Sequence, residues 1–484
     1  MSNIVIQKTP VVVVGSGLAG LTATYKLLQQ KTPVILIEKL DKFGGNSIKA
    51  SSGINGAFTS VQQSYGLDDS VEIFLKDTIK SAKSLGDLQL QETLVNESKK
   101  AIEWLQQEIS VSLNIVNQLG GHSTKRTHRS DGIPPGFEII SKLQKKVLEF
   151  EGLDIKFNSK LISIDSQNDK IIGLKYLNLL DNSEIYLKTN NLIVATGGFG
   201  FSKKLLQKYK PELVDFPTTN GAQTLGEGQE IISSIGGSLI DMEQVQIHPT
   251  GFIKQDDREN NWKFLAAESL RGVGGILLNS SNERFVNELE TRDTVSNAIL
   301  KQKDQKATLV LNEDMYQEFK FQIDFYSKMK LLEKTTIAEK FKDDTTKVIE
   351  LLKKYSQQPS DSNNKDENIE IIDQYGRESK QHVFKNVSAD SIIFSGEITP
   401  VVHFTMGGVK INTNGQVINT KDQIIDGLYA IGEVSGGVHG ANRLGGNSLL
   451  ECTVFGNRVA QHIINSDIDV DDDIGLKLKQ QLVL

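Results

Sequence analysis

Apolar residues gather into short runs that end in glycine, and longer stripes at helical spacing follow them along most of the chain. Val11–Val14 reads as a buried strand, and Leu18, Leu21, Tyr25 and Leu28 recur at helix period behind it. Pro33 then opens a second apolar run, so residues 10–39 form a compact β-α-β unit. Over residues 70–118, Ile73, Phe74, Ile79, Leu94, Ala101, Ile102, Trp104 and Leu105 predict amphipathic helix with its stripe in the core. Residues 153–196 switch to strand character and close with a buried strand before Gly197 and Gly198. Near the far end, Leu428, Tyr429, Ala430 and Ile431 make another strand. A glycine-crowded loop follows, and from Asn447 a helix begins with Leu449, Leu450, Val454 and Phe455.

The character changes between about 243 and 402, where a Lys-rich, helix-rich stretch (313–358) precedes a polar low-complexity segment, PSDSNNKDEN, at 359–368 that reads as a surface loop. The chain is therefore expected to be α/β, with a doubly wound dinucleotide-type domain built from 1–242 and 403–484. Residues 243–402 form an inserted α+β domain placed to cover it.

Composition narrows the function. The 484 residues suffice for two or three domains, and 38% hydrophobic with 24% charged residues describes a globular chain. A net charge of −7 argues against nucleic acid or an anionic membrane as partner. No apolar run approaches a membrane span, and MSNIVIQKTP lacks signal-peptide architecture. A cytoplasmic location is expected, with mitochondria as the alternative. One cysteine, Cys452, leaves no ligand set for an iron–sulfur centre or c-type haem, so any electrons must travel on an organic cofactor.

The chemistry concentrates in glycine loops. Gly15, Gly17 and Gly20 stand in G-x-G-x-x-G spacing around Ser16, Leu18 and Ala19, and Glu38 ends the second strand. Gly15 turns tightly, Gly17 admits a pyrophosphate, Gly20 lets helix pack on strand, and Glu38 can accept ribose hydroxyls. This unit alone does not separate FAD from NAD. The segment after Glu38 and Lys39 carries Gly44, Gly45, Ser47, Ala50, Ser51, Ser52 and Gly53, which leave room for a ring system. A second glycine loop, with His439, Asn442 and Arg443, suggests one flat charged ligand gripped by both ends of the chain. GGHSTKRTHRSDG (120–132) is basic, but His122 and His128 lack metal-ligand company. It is expected as a solvated loop or at the substrate edge, and no metal site is expected. The acidic run 467–473 reads as solvated surface. Taken alone, Arg292 in ETRD reads as a surface ion pair with Glu290. His439 reads as structural.

In that order GSGLAG, GGNSIKASSGINGA, QIHPTG, ESLRGVGG, RFVNELETRD, VVHFTMGG and GEVSGGVHGANRLGGNSLLEC resemble the soluble fumarate reductases, within the superfamily of the succinate dehydrogenase flavoprotein. The match spans roughly residues 10–460. The resemblance implies a Rossmann-like FAD-binding domain with a capping domain, and FAD held non-covalently, because Asn46 stands where membrane-bound relatives carry the flavin-linked histidine. It implies cofactor contacts from Gly15, Ser16, Gly17, Leu18, Ala19, Gly20, Glu38, Lys39, Gly45, Asn46, Ser47, Ser51, Ser52, Gly53, Ala195, Thr196, Gly197, Asn220, Glu227, Phe404, Glu433, Arg443, Gly446, Ser448 and Leu449. It further implies that Arg443, His403 and His248, with Gly446, hold the carboxylates of fumarate or succinate. Arg292 would then supply the proton, with Glu268 and Arg271 as its relay. Glu227 and Ala267 depart from the family pattern, which has Asp and, in bacterial members, Thr. The implied electron donor is free reduced flavin or a separate reductase. Alternatives are another unsaturated acid as substrate, or a flavin-binding redox module without catalysis.

Overall fold

The computed structural model describes residues 9–356, 374–377 and 384–481, with side chains in the last helix described as far as Ser466. The low-complexity segment 359–368, the residues before 9 and the side chains of the acidic run 467–473 lie outside this description.

The main sheet is organised around Val11–Val14, which pairs in parallel with Val34–Ile37 on one side and Leu192–Val194 on the other. Leu153–Lys156 extends one edge and Ile424–Ala430 the other, again in parallel. Strands from the two ends of the sequence therefore point the same way. Their following loops, beginning at Gly15, Ala195 and Ile431, meet at one edge, the C-terminal edge where open α/β sheets bind ligands. The three central strands, Val11–Val14, Val34–Ile37 and Leu192–Val194, are continuous runs of Val, Leu and Ile with no alternation, as strands covered on both faces are. Ser159–Gln167, Lys170–Asn178 and Glu184–Lys188 add an antiparallel extension.

Two glycines make the first turn possible. Gly15 has φ +105°, and a Cβ there would lie 2.3 Å from the Ala195 carbonyl oxygen. A Cβ on Gly20 would lie 1.9 Å from the Gly15 carbonyl oxygen, so only glycine lets the helix Leu18–Gln29 sit this close to its strand. The long helix Asn447–Gln481 packs across it, with Gly456 against Thr22.

Of the stretch 70–118 expected as helix, the part up to 107 is three helices, Val71–Ser81, Leu88–Asn96 and Ser98–Gln107, while Ile115–Asn117 is a strand paired with Thr127–Arg129. Ser70 and Asp87 cap the first two through their side chains. The break falls where Lys83 and Ser84 adopt positive φ. An apolar stripe continued across it hides that turn from periodicity.

A second antiparallel sheet orders Val245–Phe252, Ile392–Thr405, Ala307–Asn312 and Ile276–Leu278, with Glu333–Thr336 also paired to the long strand. It has its own buried cluster, including Leu270, Leu277, Leu309, Ile323 and Ile398. The strands Val245–Phe252 and Ile392–Thr405 run from this cluster back to the main sheet. Their register slips twice. One slip leaves His403 as the extra residue opposite Gln246 and Ile247, and the other falls at Pro249, which has no N–H to give the ladder.

Candidate active site

The loops at the C-terminal edge of the main sheet enclose a cleft of about 690 Å³ that reaches under the second sheet. The helix Leu18–Gln29 points its N-terminus into it from Gly17, which offers no side-chain cap. A Cβ on Gly17 would meet only Ser47 Oγ, at 3.5 Å, so this face opens to the cleft. Ser47 Oγ accepts the Leu18 N–H at 3.2 Å, and the N–H groups that follow, without a side-chain cap and beside open backbone, suit a pyrophosphate. Glu38 is buried, accepting Ser16 N at 2.8 Å and Ser16 Oγ at 2.6 Å on one oxygen and Leu40 N at 2.9 Å on the other. Oε2 is thereby filled, and Oε1 keeps capacity for one further hydroxyl. The second helix N-terminus, at Ser448 and Leu449, reaches the cleft from the opposite end of the chain. These features fit a dinucleotide carrying a ring system.

Every residue expected at the cofactor lines this cleft except Gly20, whose part is the helix–strand contact. Asn46 is fixed by its amide: Nδ2 donates to Asn220 Oδ1 at 2.9 Å and Thr224 Oγ1 at 3.0 Å, and Oδ1 accepts from Gly221 N at 3.1 Å. Glu227 begins a helix and pairs with Lys39 and Lys160, each at 2.8 Å. Glu433 accepts the Thr405 N–H at 3.0 Å, and burial raises its carboxyl to about 7.

The inner end of the cleft is cationic. Arg292 opens the helix Arg292–Leu300 and is 5% exposed, on the cleft wall. Its Nε and Nη2 donate to Glu268 Oε2 at 2.8 and 2.5 Å, and Nη1 donates to Gln246 Oε1 at 2.8 Å. Behind it, Arg271 Nη2 lies 3.7 Å from Glu268 Oε1, which also accepts the Gly120 N–H at 3.0 Å. Burial would raise the Glu268 carboxyl, but Arg292 and Arg271 hold it down at about 2. The surface pair of Arg292 with Glu290 is overturned: its partner is a buried carboxylate 24 residues earlier.

Arg443 stacks over the Phe404 ring at 4.4 Å and is buried, yet its guanidinium has no hydrogen bond or ion pair among the described residues. Burial, then the nearby Arg292, lower it to about 9. His248 Nδ1 accepts the Thr250 N–H at 3.2 Å, so the ring proton sits on Nε2, which is buried without a partner 3.9 Å from Glu268 Oε2. Its ring centre lies 5.1 Å from that of His403, whose Nδ1 is 2.8 Å from Thr219 Oγ1. Burial and Arg292 push both imidazoles well below their ordinary value, so both are neutral at pH 7. Arg292, His403 and Arg443 line the cleft itself; His248, Glu268 and Arg271 stand behind it. Ala267, where a threonine hydroxyl was expected on the family pattern, has the Tyr326 hydroxyl at its N–H, 3.3 Å away.

The basic loop 120–132 is not solvated. Arg126 is fully buried between Asp69, at 2.9 Å, and Asp77, at 2.7 Å. His128 is buried against Thr59 and the Arg126 carbonyl, and His122 Nε2 meets the Gly445 carbonyl at 3.0 Å. The loop's neutralising acids sit some fifty residues earlier, beyond any local pattern. His439 pairs with Glu451 at 2.9 Å and plays the structural part expected. Gln246 was missed. It lies in the QIHPTG motif beside His248, but an amide carries no chemical signal in a sequence until its partners are known.

Known proteins give the same reading. The family described as FAD binding domain matches residues 10–449. The fumarate reductase 1 of Saccharomyces cerevisiae is 48% identical over 475 residues, covering 94% of this chain and 99% of that protein. The fumarate reductase of Schizosaccharomyces pombe is 38% identical, covering 94% and 89%. Among solved structures, the open conformation of a flavocytochrome c3 fumarate reductase superposes with a TM-score of 0.73 at 31% identity, over 94% of this chain and 79% of that one. With glycine loops, ribose acid and helix termini around one cleft, and relatives matched over nearly their full length, the chain belongs to the FAD-binding flavoprotein family of fumarate reductase and succinate dehydrogenase.

Proposed function

We propose that this protein reduces fumarate to succinate with FAD bound non-covalently in the cleft. The observation that carries this reading is a cation on the cleft wall without a protein acceptor, the Arg443 guanidinium, with the unpartnered His248 Nε2–H behind that wall. Such groups are costly to bury unless a ligand satisfies them. A small dicarboxylate does so, with Arg443 and His403 on one carboxylate and His248 on the other. The names of the two yeast relatives support the same substrate.

Held by the two glycine loops and Glu38, and once reduced, FAD would supply a hydride to one alkene carbon. Arg292 then gives an N–H proton to the neighbouring carbon, so that one hydride and one proton convert the alkene to succinate. A guanidinium gives up a proton reluctantly, and the developing carbanion is basic enough to take it. Glu268, whose carboxylate touches Arg292 and approaches Arg271, is placed to pass a replacement proton between them. Asn46 offers no nucleophilic imidazole to the flavin, which favours a non-covalent cofactor. Residues 243–402 act as the cap that excludes water from the substrate, over an FAD domain of 1–242 and 403–484. With a single cysteine and no iron–sulfur ligand set, electrons arrive from free reduced flavin or a separate reductase.

The test is anaerobic. FAD-loaded protein with reduced viologen should oxidise it only when fumarate is added, and acid precipitation should release all the flavin. Arg292→Ala should keep its FAD and lose about 10³-fold or more in kcat, the scale of a lost general acid. Absence of fumarate-dependent turnover, or a near-normal rate in Arg292→Ala, overturns the proposal.

A further inference from the structure

We propose that Gln246 is the positioning residue that aims the proton-donating face of Arg292 and ties it to the backbone of Arg443; this rests on the fumarate reductase reading above.

The amide can be oriented from its surroundings. Gln246 Nε2 lies 2.8 Å from the Arg443 carbonyl oxygen and 3.1 Å from Asn442 Oδ1. A backbone carbonyl only accepts, so Nε2 must be the NH₂ end and Oε1 must face Arg292. The Asn442 amide is oriented in turn: the Ser81 hydroxyl donates to the Asn442 carbonyl at 3.0 Å and accepts Asn442 Nδ2 at 2.9 Å. Both N–H bonds of Gln246 are used, and its oxygen accepts from Arg292. The side chain is 2% exposed, so water does not replace any of these partners.

The consequence for Arg292 follows from its five N–H groups. Two go to a single oxygen of Glu268, which makes that contact a pivot. The third, on Nη1, goes to Gln246 and stops rotation about the pivot. Two N–H groups remain, one on each terminal nitrogen, at a side chain that lines the cleft. Glu268 alone would hold the charge of Arg292 but leave the direction of these hydrogens loose. Gln246 fixes it, and through Arg443 it fixes the distance from proton donor to carboxylate clamp. Because Gln246 sits on the strand Val245–Phe252 while Asn442 and Arg443 belong to the second glycine loop, the alignment depends on strand and loop being in contact. Gln246 is also a neutral acceptor. It holds Arg292 without adding a second carboxylate that would make the guanidinium a poorer acid.

The experiment uses FAD-loaded full-length protein and two variants, Gln246→Met and Gln246→Glu. Malonate inhibition reads ground-state dicarboxylate binding, and the solvent isotope effect on kcat reads proton transfer. Gln246→Met should bind FAD and malonate within about threefold of wild type. Its kcat should fall about 10- to 100-fold, the scale of a small misplacement at a reacting centre, with a larger solvent isotope effect. Gln246→Glu keeps an oxygen on Arg292 but sets a carboxylate against the Arg443 carbonyl, so its kcat should be low at neutral pH and recover as pH falls and the introduced carboxylate takes up a proton. Three results overturn the inference: a Gln246→Met kcat within about threefold of wild type, a kcat loss matched by an equal loss of malonate binding with an unchanged isotope effect, or a Gln246→Glu profile parallel to wild type. If wild type itself fails to reduce fumarate, the functional reading falls with it. Wild-type turnover with indifferent variants removes only the role given to Gln246.

Discussion

Arg443→Met is expected to improve the fold and damage the function together. In the substrate-free protein Arg443 is a buried cation whose guanidinium meets no carboxylate, and its compensation is the Phe404 ring at 4.4 Å. An uncompensated buried ion costs several kcal/mol, and a desolvated cation–π contact returns about 2 kcal/mol. Methionine keeps the apolar stem against Phe404 and removes the charge. The FAD-loaded variant should therefore be about 1 to 3 kcal/mol more stable, which raises Tm by a few degrees in a chain of this size. Binding moves the other way. Two charge-assisted bonds to a carboxylate, at about 1.5 to 3 kcal/mol each, correspond to a KM for fumarate raised about 10²- to 10⁴-fold. Malonate at about a hundred times its Kd should stabilise wild type by about 2.7 kcal/mol and leave the variant unmoved. Scanning calorimetry with and without malonate, beside steady-state kinetics, checks both halves. A variant that melts below wild type without ligand, or a KM raised less than about tenfold, refutes the claim that this guanidinium is held for a ligand.

The remaining predictions concern the frame. His128 is buried with its pKa lowered to about 4 by burial. Between about 4 and 6.5 the unfolded chain binds a proton that the folded chain does not, so stability is full above about 6.5 and falls with pH through that window, by about 3 kcal/mol in all. His128→Gln should flatten that part of the stability–pH curve in urea titrations at about pH 7 and pH 4.5; an unchanged difference between the two would count against it. Gly20→Ala places a Cβ 1.9 Å from the Gly15 carbonyl oxygen, so helix and strand must part. About 1 to 3 kcal/mol of stability and most of the bound FAD should be lost, read from the flavin-to-protein absorbance ratio, and a fully yellow variant would show that the turn has slack.

Short-range rules made much of this legible. The strand, the G-x-G-x-x-G turn, the helix and the ribose acid all lie within residues 10–39, and each is a statement about near neighbours. So is the second glycine loop, whose strand and helix appear as Leu428–Ile431 and Asn447 onward. What failed was local in form but settled by distant partners. Read by its neighbours alone, Arg292 falls against Glu290, two residues away, because the sequence does not display Glu268 beside it; only the resemblance set Glu268 and Arg271 behind it. The solvated reading of Arg126 and its histidines, given beside a substrate-edge one, failed because Asp69 and Asp77 come from a loop and a helix elsewhere. The stripe over 70–118 continued through a turn because all three helices bury their apolar residues in one core. The proposed fumarate site was reached through resemblance, since no periodicity marks a histidine such as His403, which a strand irregularity makes the extra residue in its register.

The charges at the inner end of the cleft argue for the class of substrate. Arg271, Arg292 and Arg443 contribute three positive charges, Glu268 one negative, and His248 and His403 are held neutral by burial and by the arginines themselves. Glu288 acts on Arg271, and Glu433 and Glu451 act on Arg443, but none of the described carboxylates bonds the Arg443 guanidinium, inside a chain whose overall charge is −7. Charges so buried interact far more strongly than they would in water. On the proposed reading a dicarboxylate meets Arg443 at one end and the cationic inner wall at the other, a monocarboxylate leaves one end unmet, and a neutral enone leaves both. Discrimination against monocarboxylic alkenes is therefore the expected outcome of residues drawn from both ends of the chain and its middle, before any contact with the carbon skeleton is considered.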